Sequence, residues 1–291
     1  MVANSNAHVP CVPRVSGVPD ASDALGARGE GHLAFARIGG RAVVTSMWAR
    51  SPLKLLSPKN HGSASWAYAS SFGGGLVDGD RIRLDVEVAR GASAYLSTQS
   101  STKVYRGRAE SALVARVDRD ALLALVPDPV VCFEGARYAQ TIDVSLAEGA
   151  SLVSVDAFTA GRSARGERWV FESLSSTLRV SCSGRVVLLD PLRLSPAHGS
   201  LVSRMGRFDV VATVVLLGAH VQAHARALLE SIASSPPERN AASIVAASAL
   251  GDDGAFVRIA STSVSEATAR VRELLAFLPA LLGDDPWARK H

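Results

Sequence analysis

The sequence predicts a mainly β protein of stacked, β-helix-like layers that ends in two α-helices. Three observations carry this. Arg81 to Val88 alternates strictly, with Ile82, Leu84, Val86 and Val88 on one face and Arg81, Arg83, Asp85 and Glu87 on the other. The nonapeptide from Asp85 to Ser93 recurs from Asp143 to Ser151 with six of nine positions identical, each copy an alternating strand ending at a glycine. After about residue 217 the period of two gives way to helical spacing.

Taken in order, residues 1–31 mix Pro, Ser, Gly, Ala and Asn without periodicity and read as a mobile N-terminal arm. Residues 32–291 then form a single domain, with a β-body over 32–217 and a mixed α/β end over 218–291. Leu33 to Ile38 and Ala42 to Trp48 flank Gly39-Gly40, a hairpin signal. Further strands are expected at Ser151 to Phe158, Arg168 to Leu174, Leu178 to Cys182, Arg185 to Leu189 and Phe208 to Leu217. An ordinary sandwich with two similar hairpins is the alternative to stacked layers. Val221 to Ile232 reads as a helix stopped by Ser234-Ser-Pro-Pro237, and Ser265 to Leu282 as a second helix with one apolar stripe. Ala246 to Leu250 and Phe256 to Ala260 are expected strands between them.

Composition narrows the function classes. The chain has 291 residues, 47% hydrophobic and 20% charged, which fits an ordered globular protein. Its net charge of +4 is spread among interleaved acids and bases with no like-charge run, so no nucleic-acid partner is expected. Three scattered cysteines without C-x-x-C spacing fit a reducing cytoplasm, and no apolar run is long enough for a membrane partner.

Candidate chemistry is sparse. Gly73 to Asp80 is glycine-rich but lacks the G-K-[ST] ending of a phosphate loop and leads into a strand, so a turn positioning Asp78 and Asp80 is the reading. Ser97 to Arg106 is rich in hydroxyls, including Ser100 and Thr102. Asp156 and Glu167 flank Arg162 and Arg165; such carboxylates could serve acid–base chemistry, or simply pair with the guanidiniums. His220 and His224 have helical i, i+4 spacing, which is too few ligands for a closed metal site.

These motifs in their order and spacing resemble the UreD (UreH) family of urease accessory proteins. The residues that carry the resemblance are Gly74, Gly75, Gly79 and Asp80; Thr98 to Arg106 with Lys103, Tyr105 and Arg106; Leu125 to Pro129; Gly135 to Thr141; and Gly161, Arg162, Gly166 and Glu167. Asp78 stands where the family commonly has Gly. The resemblance implies a non-enzymatic scaffold with no tightly bound cofactor. It implies as partners a UreF-like helical accessory protein, through it a UreG-like GTPase, and apo-urease, with nickel passing through in transit. It also implies that Asp80, Asp156 and Glu167 line the nickel path with Ser100 and Thr102 as neighbours, and that there is no fixed metal site. A cytoplasmic β-solenoid hydrolase acting on a glycoside is the alternative from another class.

Overall fold

The computed structural model describes residues 29–288, so the arm expected over residues 1–31 lies outside the described residues except for its last three. The first strand already includes two of those. β1 (Glu30–Ile38) and β2 (Arg41–Ala49) form the hairpin around Gly39-Gly40, and β3 (Leu53–Leu56) pairs antiparallel with β4 (Ser65–Ser71). The chain then runs through β5 (Arg81–Val88), β6 (Ser93–Thr98), β7 (Thr102–Val104), β8 (Gly107–Val117), β9 (Leu122–Leu125) and β10 (Val130–Cys132). β11 (Ala136–Leu146), β12 (Ser151–Thr159), β13 (Ser173–Cys182) and β14 (Arg185–Leu194) complete the middle.

These strands alternate between two sheets. The first has seven strands in the order β14-β13-β11-β8-β5-β1-β2, and β1, β5, β8, β11 and β13 pair in parallel. The second runs through β12, β9, β6, β4 and β3 at one side, with β4, β6, β9 and β12 parallel. Each turn of the chain lays one strand on each sheet, so the expected stacked layers are present, and the sheets stay open.

The internal repeat marks this stacking. Asp85 is in register with Val114 and Val114 with Asp143, so successive rungs lie 29 residues apart and the two similar segments are two rungs apart. Between them the short turn from first to second sheet has Asp120 where its neighbours have Gly91 and Gly149. All three are left-handed, at φ 56°, 63° and 73°. Ala92, Ala121 and Ala150 follow, each buried, and Leu122 N–H donates to the Ala92 carbonyl at 2.9 Å while Ser151 N–H donates to Ala121 at 2.8 Å.

Alternation fixes what faces inward. Leu84, Val86 and Val88 of β5 join a core between the sheets with Leu33, Val144 and Val180. The outward charges of β5 are paired, Arg83 with Asp85 at 2.9 Å and Glu87 with Arg116 at 3.9 Å. β12 is buried along its whole length, because its inner face packs on the first sheet and its outer face lies under helices.

The C-terminal part covers that outer face. A short helix α1 (Leu201–Met205) precedes β15 (Val210–Leu217), which joins β12 antiparallel; α2 (Gln222–Ser234) and the hairpin of β16 (Ser243–Leu250) and β17 (Gly254–Ser261) follow. The long second helix expected over Ser265 to Leu282 is broken into α3 (Val264–Leu274) and α4 (Leu278–Leu282). Pro279 explains the break: it lacks the N–H an uninterrupted helix needs, but is tolerated in the first turn of α4. The apolar stripe survives, with Ala267, Val271, Leu275, Leu278 and Leu282 all buried. At the start of α3 the Ser263 hydroxyl accepts from Glu266 N–H at 3.1 Å, a cap the sequence pattern S-x-x-E encodes.

Two strand expectations need correction. Arg168 to Glu172 are not strand: Trp169 N–H donates to the Ala160 carbonyl and its indole N–H to Phe208, and Arg168 pairs with Asp209. These bonds commit the segment to a connection, and β13 starts at Ser173. Conversely, the strand expected to stop at Leu189 runs on through Pro191 to Leu194. β14 is the edge of its sheet, so the missing proline N–H leaves no ladder bond unmade.

Candidate functional site

The family-type motifs gather at one end of the stack, in the long connections that lead from the second sheet back to the first. There Leu76 N–H donates to Lys103 O at 2.7 Å, Tyr105 N–H to Leu76 O at 2.9 Å, and Phe133 N–H to Val104 O at 2.9 Å. Gly75 fits because a Cβ there would stand 2.6 Å from both the Lys103 carbonyl oxygen and the Tyr105 ring. Tyr105 meets the Phe133 ring edge-on at 5.2 Å, and the Arg162 guanidinium lies 4.3 Å over that ring. Arg106 reaches Glu134 at 4.0 Å on the outside, and the Lys103 side chain is exposed.

Asp80 and Glu167 belong to this end. The Asp80 carboxylate accepts Val77 N–H at 2.8 Å, and Asp78 accepts Arg108 N–H at 2.7 Å, so both shape the turn before β5. Gly79 N–H donates to Arg108 O at 2.8 Å. Glu167 has both oxygens taken by Arg162, and that guanidinium holds its carboxyl below the usual range. Gly161 and Gly166 shape the loop around this pair, Gly166 as the left-handed residue closing a short turn from Ser163.

Asp156 is placed otherwise. A cavity of about 160 Å³ lies between the sheets, with Ser70, Ser100, Ser101, Thr102 and Gly74 toward one side and Asp156 within it. Asp128, bonded to Thr98, also lines it, and deeper in a polar row crosses the apolar interior. On the first sheet Ser111, Gln140 and Ser176 are in register, and on the second Asp156 is in register with Thr213, and Thr213 with Arg258. Gln140 Nε2 donates to Asp156 Oδ1 at 2.9 Å and Ser176 Oγ to Oδ2 at 2.8 Å. Behind Gln140, Tyr138 donates to its amide oxygen at 3.1 Å and shares a 2.6 Å bond with Ser111.

Electrostatics single out the same group. Burial pushes the Asp156 carboxyl from 3.8 up to about 6, partly offset by the Ser176 and Gln140 bonds; Asp190 raises it further and Arg258 lowers it. Burial also pushes the Cys132 thiol up to about 12. The Ser154 hydroxyl, 1% exposed and on the Asp156 side of β12, has no hydrogen-bond partner.

Of the five expected path residues, the structure brings Asp156, Ser100 and Thr102 to one cavity. Asp80 and Glu167 are not among its lining residues; their oxygens brace connections instead. Asp156 and Glu167 therefore form no acid–base pair. His220 and His224 are also separated in role, His220 bonding Ser151 and His224 stacking on Phe277 at 4.1 Å. Among the described residues no group of three or more His, Cys, Asp or Glu is placed to hold a metal ion. Gln140, Ser176 and Ser154 went unread in the sequence. Gln140 carried a usable signal, since it falls in phase with Ile142, Val144 and Leu146 on the inward face of β11.

A family profile described as "UreD urease accessory protein" matches residues 27–290. A "Urease accessory protein UreD" of Sorangium cellulosum (strain So ce56) is 56% identical, covering 91% of this chain and 85% of its own length. Another of Anaeromyxobacter sp. (strain Fw109-5) is 48% identical over 90% of this chain and 89% of its own. "Urease accessory protein D" of Arabidopsis thaliana is 33% identical over 89% of this chain and 99% of its own.

Proposed function

The chain belongs to the UreD family of urease accessory proteins, and from that premise we propose that it is a scaffold of urease maturation through which nickel passes toward apo-urease. In this reading a UreF-like helical protein docks on the chain, a UreG-like GTPase docks through it, and apo-urease receives the ion. The relatives are named as accessory proteins and not as enzymes. We take the chain as cytoplasmic, where the free thiols of Cys132 and Cys182 stay reduced.

The observation that carries the proposal is Asp156, a buried carboxylate held by neutral amide and hydroxyl groups in a cavity that Asp128, bonded to Thr98, also lines. Storage needs three or four strong ligands; transfer needs few. A buried carboxylate with hydroxyl and amide groups around it suits a borderline divalent ion held briefly. With its carboxyl raised to about 6, Asp156 is mostly ionised at neutral pH and can meet a cation without first losing a proton, while burial keeps the charged form costly. Ser100 and Thr102 furnish hydroxyls toward the open side.

The test is Asp156→Asn in cells expressing the complete urease system at limiting nickel. The variant is expected to fold and to co-purify with its partners while the nickel content of urease falls several-fold, with partial rescue by added nickel as occupancy of a weak site rises. Full nickel loading with Asp156→Asn would end the proposal.

A further inference from the structure

A passage needs two mouths, and the cavity shows one. Its lining reaches from Ser70, Ser100 and Thr102 to Asp156 and stops there, yet the polar row continues past Asp156 to the opposite edge. On the second sheet the next inward residues are Thr213 on β15, 5% exposed, and Arg258 on β17, with 32% of its side chain exposed. Exposure thus rises over two strand spacings, roughly 10 Å, from Asp156 to solvent. On the first sheet Asp190 of edge strand β14 lies opposite Leu178, an inward residue, and its side chain is 16% exposed.

Arg258 closes this edge. Its guanidinium bridges the sheets, donating to Asp190 of the first and to Thr213 Oγ1 of the second at 2.9 Å, and it lies 5.2 Å over the Phe256 ring. The pair is the only ion pair among the described residues that joins an inward position of one sheet to an inward position of the other. A hydrophobic contact would serve packing at this edge as well, whereas a fixed cation beside the row repels a divalent ion until the guanidinium swings out. Ser154, whose buried hydroxyl has no hydrogen-bond partner, lies two residues from Asp156 on the same inward side of β12.

Resting on the passage reading above, we propose that the edge between β14 and β17 is the second mouth, and that Arg258, held between Asp190 and Thr213, is the residue that keeps it shut. The ion then waits at Asp156 between an open hydroxyl side and a closed cationic side. Transit is completed when Arg258 is drawn outward, for which a carboxylate presented by a docked protein at this edge is the fitting chemistry.

The experiment uses the full chain with its three native cysteines replaced by serine or alanine and Ser154→Cys as reporter. Silver ion is the probe, and the unmodified thiol is counted by alkylation after unfolding. Ser100→Trp is added to fill the hydroxyl side. Protection of the reporter is then expected to be strong with Arg258 present, to persist with Arg258→Lys, and to be lost with Arg258→Met, the modification rate rising at least tenfold. Asp190→Asn, a milder change should Arg258→Met prove insoluble, is expected to give an intermediate rate. Equal rates in all four proteins would overturn the proposal. In cells, Asp156→Asn reports separately on the passage itself: if it leaves urease nickel unchanged the passage reading fails, whatever the silver rates show. If it lowers nickel while silver rates stay equal, only the second mouth fails.

Discussion

The two ends of the stack are built by different rules. At one end the chain crosses from first to second sheet in tight turns that repeat every 29 residues, with Gly91, Asp120 and Gly149 in equivalent positions; Gly91 has open room, while the Asp120 carboxylate lies close against Gly149. At the other it returns through connections of unequal length, laced by side chains: Gly75 under Tyr105, Tyr105 against Phe133, Phe133 under Arg162, Arg162 on Glu167. The first end is a spacing device, with room for a side chain at Gly91. The second is where the cavity opens, and its close contacts leave little room.

Gly75→Ala is the change that strains this contrast most. Its backbone is extended and accepts any residue, so the whole cost is steric: a Cβ 2.6 Å from a backbone carbonyl that is itself bonded to Leu76 N–H. A loss of about 3 kcal/mol, or insolubility, is expected in denaturant unfolding. A loss below about 1 kcal/mol would mean that the connection end yields as easily as the turn end.

Asp156→Asn separates the interior row from both ends through its pH dependence. Because the folded protein binds the Asp156 proton more tightly than the unfolded chain, this group's favourable contribution is complete below about 3.8 and is lost as pH rises through about 6. The wild-type protein therefore carries a cost of roughly 3 kcal/mol at pH 7 that the asparagine variant lacks. The variant should gain stability relative to wild type between pH 4 and 7 and match it at pH 3.5, measured by urea unfolding. A pH-independent difference would show that Asp156 is ionised and satisfied in place.

How much of this was legible follows from the same contrast. β5 and β12 could be read because alternation or continuous burial is local, and the repeat disclosed the stacking because Gly91 and Gly149 are alike. The rung between stayed hidden: with Asp120 in the turn and Val114 at its start, it shares only three of nine residues with the first copy. The chemistry of Asp156 was half legible. Its carboxylate stood out, but Gln140 and Ser176 reach it from strands 16 and 20 residues away, and pairing over such spans is set by the register of sheets. Asp80 and Glu167 looked equivalent to Asp156 in sequence, and only burial tells them apart.

At the turn end the expected effects are smaller. Gly91→Ala places a side chain at φ 63° with only the Arg37 side chain near, at 3.8 Å. The cost is the left-handed backbone alone, about 1 kcal/mol in thermal unfolding, a third of that expected for Gly75→Ala although both add one methyl group.

Asp120→Gly is the smallest and has the opposite sign. Asp120 already pays for a left-handed backbone, at φ 56°, that its two neighbours in the column meet with glycine. Glycine would remove that strain, worth about 1 kcal/mol, and would give back part of it through the greater freedom of the unfolded chain. It would also forgo the contact of Asp120 with Arg90, 3.8 Å apart and more than half exposed on both sides, which contributes little in water. The balance is a gain of up to about 0.5 kcal/mol, a rise of one or two degrees in melting temperature, with urease nickel loading unchanged because this end is remote from the cavity residues. A clear loss of stability would show that the Asp120 carboxylate holds the column together, and that the turn end is as dependent on particular side chains as the connection end.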